Sequence, residues 1–173
     1  SKVFDFFENN YRQPKLKHLI VSPFDMRKKI SHIINREISA ALKGKEAFIH
    51  IKLNNLADED IIKKLYKAGL AGVEIKLIVR SMFSLSDENQ NGGKPIEAIS
   101  IVDRFLEHSR IIIFSNGGSP KYYISSADWL TRNFDHRVET TCPIYDKNLQ
   151  NELKGIFSIG WRDNVKARIL KNS

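Results

Sequence analysis

Two seven-residue apolar runs bracket one amphipathic segment, and no other feature constrains the fold as much. AFIHIKL (47–53) and VEIKLIV (73–79) alternate with period two, as strands do. Between them Asp58 is placed to cap a helix over 59–71. Glu59 and Asp60 favour the positive end of that helix, and Gly72 stops it. Strand, helix and strand of this length imply a right-handed parallel crossover, and so an α/β sheet.

The rest of the chain extends this pattern. Residues 4–10 read as the end of a helix, and Leu19 to Val21 as a short strand. Asp25 is placed to cap a helix over 26–43, with Ile30, Ile33, Ile34, Ile38, Ala41 and Leu42 at helical spacing and Gly44 as its stop. A Ser-, Asn- and Gly-rich loop from Arg80 to about Ile96 is too long for a mere connector. Residues 97–102 are weakly strand-like, and Arg104 to Glu107 form one helical turn. The runs 110–115 and 121–125 pair as a hairpin about Asn116-Gly117-Gly118. Residues 137–145 are the final clear strand. Asp146 caps a last helix over 147–158, with Leu149, Leu153, Ile156 and Phe157 inward. The tail DNVKARIL is another strand or an end left by truncation. The expected architecture is a mixed, mostly parallel sheet with helices on both faces.

At 173 residues the chain is one ordinary domain with a real core. Nothing in it approaches a membrane span or a signal peptide. The single cysteine, Cys142, rules out an intrachain disulfide and a thiolate-built zinc site, which fits a reducing cytosol. The net charge of +8 favours anionic partners: nucleic acid, polyphosphate, nucleotides or acidic lipid. That charge is spread, with +6 over residues 1–79 and +2 over 80–173. It therefore indicates polyanions in general and nothing finer.

The chemistry gathers in DRFLEHSRIIIFSNGGSPKYYISSAD (103–128). His108 precedes Arg110 by two residues, so the two share a strand face. Phosphate chemistry needs such a pair: a group that holds or passes a proton near neutral pH, and fixed positive charge for the oxygens. Arg80, the pair Asn54–Asn55, and the set Ser125, Ser126 and Asp128 each follow a predicted strand, at the edge where open α/β sheets bind ligands. No His/Asp/Glu spacing suggests a protein-bound metal.

VRSMFSL (79–85), SIVDRFLEHSRIIIF (100–114), NGG (116–118), YISSADW (123–129) and RNFDHRVE (132–139) occur in an order that resembles polyphosphate kinase of the phospholipase-D-like class. KLNNLAD (52–58) and DNVKAR (163–168) extend the resemblance over nearly the whole chain. It implies a C-terminal phospholipase-D-like domain over 19–173, second of a pair, with residues 1–18 ending the preceding segment. It also implies reversible phosphoryl exchange between ATP and inorganic polyphosphate through a phosphohistidine. That histidine belongs to the first domain, with which nothing here aligns, so the piece alone is expected to be nearly inactive. The LEH histidine, an acid/base and substrate contact, maps to His108; the phosphate-binding arginine maps to Arg80. Arg110, Ser126 and Asp128 are expected to support them. The family's adenine-stacking tyrosine falls upstream of residue 1, so Tyr11 is not given that role.

Magnesium is expected to arrive with ATP, held by phosphate oxygens. The implied partners are ATP, ADP, polyphosphate and the upstream domains. The resemblance implies a homo-oligomer when full length, in the cytoplasm, with peripheral membrane association allowed and no specific nucleic acid. Two departures stand out. The family's Arg-Gly-x-Cys is Arg80-Ser81-Met82-Phe83 here. The general phospholipase D lysine and aspartate positions hold Arg110 and Ser115, which argues against lipase or nuclease chemistry.

Each assignment competes with a plainer one. A lone histidine at a strand start is usually inert, but the His-x-Arg spacing and the nearby Ser-Ser-x-Asp favour function. Arg110 would be costly unpaired beside an apolar run, so Asp128, Glu139 or phosphate must hold it. Ser125 and Ser126 either end a strand or reach phosphate. Arg132 and Arg137 are expected to pair with Asp135 or Glu139. His50-Ile51-Lys52 imitates His-x-Lys but lacks an aspartate five residues on, so His50 reads as structural. His32 is solvated, and His18 and His136 carry no signal. Two alternatives remain: a polyanion- or nucleic-acid-binding module stacking bases on Trp129, Tyr122 and Tyr123, and a phosphodiesterase built from two copies of His108.

Overall fold

The computed structural model describes residues 16–84, 93–102 and 107–170. The expected helix at 4–10 lies outside these residues, as do most of the turn at 104–107 and the middle of the loop after Arg80. The described elements are β1 (Ile20–Ser22), α1 (Met26–Leu42), β2 (Phe48–Leu53), α2 (Glu59–Leu70), β3 (Glu74–Val79), β4 (Ile96–Ile101), β5 (Ile111–Phe114), β6 (Lys121–Ser125), α3 (Thr131–Asp135), β7 (Glu139–Ile144), α4 (Lys147–Trp161) and β8 (Ala167–Ile169). The strands form one sheet in the order β1-β7-β6-β5-β2-β3-β4-β8.

The alternation in β2 and β3 buries Ile49, Ile51 and Leu53 beside Ile75, Leu77 and Val79, and α1 and α2 cover this face. On the opposite face, Ile78, Ile111, Ile113 and Tyr122 pack against Phe157, Leu153 and Trp161 of α4. Helices therefore lie on both faces, as expected. β2 pairs with β3 in parallel, with Phe48 opposite Glu74 and Leu53 opposite Val79, as the crossover predicts.

The sheet is mixed but not mostly parallel. β2–β3 and β3–β4 are parallel, and the other pairings are antiparallel. The reason is the hairpin β5–β6, which turns at Asn116, Gly117 and Gly118, all at positive φ. It lies directly against β2 and continues into β7 as a meander, which needs no crossover helix. The tail is a strand: β8 closes the edge against β4.

Three local expectations need correction. Asp25 precedes α1 but makes no side-chain cap; its carboxylate accepts from Val21 N–H (3.1 Å) and pairs with Lys29 (2.6 Å). The last helix runs to Trp161, three residues beyond its predicted end. Leu149 and Ile156 flank its packed stripe and stay 49% and 44% exposed. Asp58 does cap α2, accepting from Ile61 N–H at 3.1 Å.

Glu37 of α1 is fully buried against the hairpin turn. One carboxylate oxygen accepts from Asn116 N–H (2.7 Å), and the other has no partner. Burial pushes its pKa above the ordinary carboxylate value, against the opposing pull of Asn116 N–H. Its contribution is therefore greatest below the unfolded value and is lost as pH rises through the folded one. Glu37→Gln is expected to gain stability over wild type at pH 8, with the gain shrinking towards pH 5. Urea unfolding at the two pH values checks this, and an equal difference at both would refute it.

Candidate active site

β2 and β3 run parallel, and β6 shares their direction through two antiparallel steps. Their carboxyl ends therefore meet at one edge, with the start of β5 between them. Beyond that edge, main-chain bonds join three loops. Trp129 N–H donates to Asn55 O (3.1 Å), while Ala57 and Asp58 N–H both donate to Trp129 O (3.0 Å). Leu56 N–H reaches Met82 O and Ser81 N–H reaches Asn54 O, each at 2.8 Å. Trp129 is buried beneath this junction, and Tyr122 and Tyr123 are buried in the sheet. None of the three is a stacking platform, because the core consumes all three rings.

Asp128 is the hub of the edge. It is 6% exposed and accepts from Arg110 Nε (2.8 Å), Asn54 N–H (2.9 Å) and Asn55 Nδ2 (2.9 Å). Burial alone would push its carboxyl up, but Arg110, Asn55 and Asn54 outweigh that and hold it below the usual range. Arg110 is thus paired as its position required, and Glu139 is engaged elsewhere. The Asn54 amide satisfies its neighbours with its oxygen towards Arg110 Nη2 (3.0 Å) and its nitrogen towards Glu107 O (3.3 Å).

Two guanidiniums grip consecutive carbonyls. Arg80 Nη1 donates to Glu107 O (3.4 Å), and Arg110 Nη1 donates to His108 O (3.3 Å). The backbone that carries the His108 ring is held from both sides, and the ring itself is exposed. Beside it lies a cavity of about 630 Å³, lined by Lys52, Asn54, Arg80, Glu107 and Ser109 on its polar side and by Ile156 and Ile159 on its apolar side. Arg80 is among the lining residues; His108 is not, although its chain neighbours Glu107 and Ser109 are. Ser81, where the family motif has glycine, needs no left-handed backbone: among the described residues Asn116 is the non-glycine residue at positive φ.

The other predicted residues serve the scaffold. Ser126 donates to Glu139 and accepts from Thr140 N–H (3.0 Å); Ser125 bonds Thr141 Oγ1 (2.7 Å) and Ala127 N–H (3.1 Å). Glu139 also accepts from Asn133 (2.8 Å), while Asp135 is taken by Arg27, so neither pairs with Arg132 or Arg137. His50 is structural: it bonds Glu74 (2.9 Å) and stacks between Phe48 and Phe157. Ser115 is buried at the far end of β5 and donates to Glu46 O (2.6 Å).

Sequence reasoning missed Lys52 and Arg27. Lys52 bonds Glu107 and Ser109 Oγ (2.9 Å), tying β2 to the 107–109 segment. Glu107 in turn lies below its usual range: burial raises it, but Lys52 and Ser109 together win. Arg27 makes paired bonds to Asp58 (2.9 and 2.7 Å) and to Asp135 (2.7 Å each) over the Phe134 ring, locking α1, α2 and α3 together behind the edge. Partners so distant in sequence leave no local signal. The one hint was that Lys52 shares the outward face of β2 with His50.

The family model described as polyphosphate kinase C-terminal domain 2 matches residues 19–173. The polyphosphate kinase of Vibrio parahaemolyticus serotype O3:K6 is 47% identical over 168 residues, covering 97% of this chain and 24% of that protein. The polyphosphate kinase of Escherichia coli K12 is 44% identical over 169 residues, covering 98% and 25%. The crystal structure of polyphosphate kinase from Porphyromonas gingivalis superposes with a TM-score of 0.90 at 38% identity, over 98% of this chain and 26% of that one. Nuc from Salmonella typhimurium, a phospholipase D family member, shares the fold at a TM-score of 0.61 and 14% identity, over 89% and 97%. The chain thus spans about a quarter of the length of the polyphosphate kinases it matches. With the mixed sheet, the hairpin and the edge-borne His-x-Arg in place, the chain belongs to the polyphosphate kinase family as its C-terminal domain 2.

Proposed function

We propose that this chain forms one wall of a phosphoryl-transfer site in a longer polyphosphate kinase polypeptide. The observation that carries the reading is the double grip on the Glu107 and His108 carbonyls, which fixes an exposed imidazole beside a cavity lined by Lys52 and Arg80. In this reading the γ-phosphoryl of ATP passes to a histidine nitrogen upstream of this chain, and ADP leaves. A terminal phosphate oxygen of polyphosphate then attacks the same phosphorus. The P–N bond breaks and the polymer grows by one phosphate; the reverse sequence returns ATP. His108 gives or takes the proton at the oxygen that leaves or attacks. Arg80 offers paired donors to oxygens whose charge grows in the transition state.

Among the described residues no group of carboxylates and imidazoles fits a metal ion. Magnesium in this reading is carried in on the nucleotide, and none of the steps assigned to these residues runs through it.

Arg80→Ala is expected to weaken ATP and tripolyphosphate binding at least tenfold, with the melting temperature nearly unchanged because, among the described residues, the Arg80 side chain makes one long bond to the scaffold. Titration calorimetry on wild type and variant decides. Equal affinities would remove Arg80 from the site.

A further inference from the structure

A second basic cavity, of about 440 Å³, opens at the opposite end of the sheet. Four separate segments build it: the chain before β1, the middle of α1, the start of β6, and the turn from β7 into α4. Lys17, His18, His32, Lys121, Lys147 and Tyr145 all line it, and no aspartate or glutamate does. Lys29 also faces it but is neutralised by Asp25 (2.6 Å) and bonded to Leu19 O (3.1 Å). The neighbouring Asp146 is spent on the first N–H groups of α4, at 2.8 and 3.0 Å. Among the described residues Lys147 bonds only the neutral Gln150 (3.1 Å), and His18 only the Tyr145 hydroxyl (3.2 Å). Lys17 and Lys121 are exposed and meet no carboxylate among the described residues.

A concave site lined by several cations and no anion repels itself unless a polyanion fills it. The contrast with the cavity beside Arg80 is direct, since that one carries its own carboxylates, Glu107 and Asp163. Besides the imidazoles of His18 and His32, the described lining of the groove has one exposed ring, Tyr145, because Tyr122 and Tyr123 are buried. One ring already engaged by His18 does not make a platform for successive bases. The lining suits linked phosphates without bases.

We propose that this groove is a second binding site for an extended chain of linked phosphates, separate from the site of transfer. The five-residue strand β6 runs between the two, with Lys121 at one end and Ser125, close to Asp128, at the other, four residue steps or roughly 13 Å apart. A long polymer can occupy both at once, whereas a triphosphate occupies one. Tethering the polymer in the groove raises its effective concentration at the Arg80 cavity. The proposal rests on the phosphoryl-transfer reading for the identity of the polymer, not for the existence of the groove.

The test uses the double variant Lys121→Glu/Lys147→Glu, whose changes are both at exposed positions. Long-chain polyphosphate is expected to bind it at least tenfold more weakly than it binds wild type, with a shallower dependence on salt. Tripolyphosphate binding at the Arg80 cavity and the melting temperature should stay as in wild type. The milder Lys121→Gln should lie between the two. Unchanged long-chain affinity in the double variant would overturn the groove. So would a single-stranded RNA oligonucleotide that binds wild type more tightly than polyphosphate of equal charge and is lost in the same variant, since that would make the groove a nucleic-acid site. The two readings fail separately: a groove effect without any Arg80→Ala effect removes the transfer site and keeps the groove, and the converse keeps the transfer site alone.

Discussion

Asp128→Ala is expected to destabilise the chain by about 3–5 kcal/mol, the usual consequence of leaving one partner of a buried ion pair uncompensated. Asp128 is the common acceptor for Arg110, Asn54 N–H and Asn55 Nδ2, so its loss strands three donors at once. For a domain of this size, that corresponds to a fall in melting temperature of roughly 6–20 °C. The effect has a defined pH window. The folded carboxyl lies below its ordinary value of 3.8, so its contribution is present above that value and is lost as pH falls through the folded one. The gap between variant and wild type should therefore close in strong acid. Replacing both partners with apolar residues, Arg110→Met with Asp128→Leu, should recover much of the loss. Chemical unfolding of wild type and the two variants measures all of this. A loss below about 1 kcal/mol in Asp128→Ala would mean that the hub is not what holds the edge together.

The second large effect is on turnover. In the polypeptide that joins this chain to its upstream catalytic part, His108→Ala is expected to lower ATP formation from polyphosphate and ADP by about 10²–10⁴-fold, the range for a positioned acid/base. Residue 108 is exposed and, among the described residues, only its backbone carbonyl is gripped, so the variant should melt with wild type. The pH–rate profile separates roles. Loss of one limb, with KM for ADP little changed, marks proton transfer, whereas a raised KM with an intact profile marks binding alone. Wild-type turnover in His108→Ala would exclude both.

Much of the framework was legible because its signals are local. Asp58, the acidic first turn and Gly72 marked α2 to within a residue, and alternation marked β2 and β3. The pairing direction of the hairpin was legible too, but its neighbour in the sheet was not: no local pattern shows that β5 lies against β2. That choice turned a mostly parallel expectation into a mixed sheet with more antiparallel pairings. At the site, the Arg110–Asp128 pairing followed from the cost of an unpaired cation beside an apolar strand. The Lys52–Glu107 contact did not, because it joins residues 55 positions apart. Trp129 misled for a different reason. Its sequence neighbours are mixed, polar Ser126 and Asp128 beside apolar Ala127 and Leu130, yet its backbone is the meeting point of three loops, and its ring lies in the core. The basic groove was equally invisible, since its lysines come from four stretches that are each unremarkable alone.

The junction of loops above Trp129 is threaded by peptide–peptide bonds, beside the side-chain bonds of Asp128 and Asn55. Peptide groups are common to all residues, so side chains along the rim can be exchanged one at a time without the frame shifting beneath them. Ser81 illustrates this tolerance, for it occupies a glycine position of the motif while its own N–H still meets Asn54 O. Libraries that randomise positions 81–83 should therefore yield many folded proteins with altered ligand preference. A library at 128 should yield few.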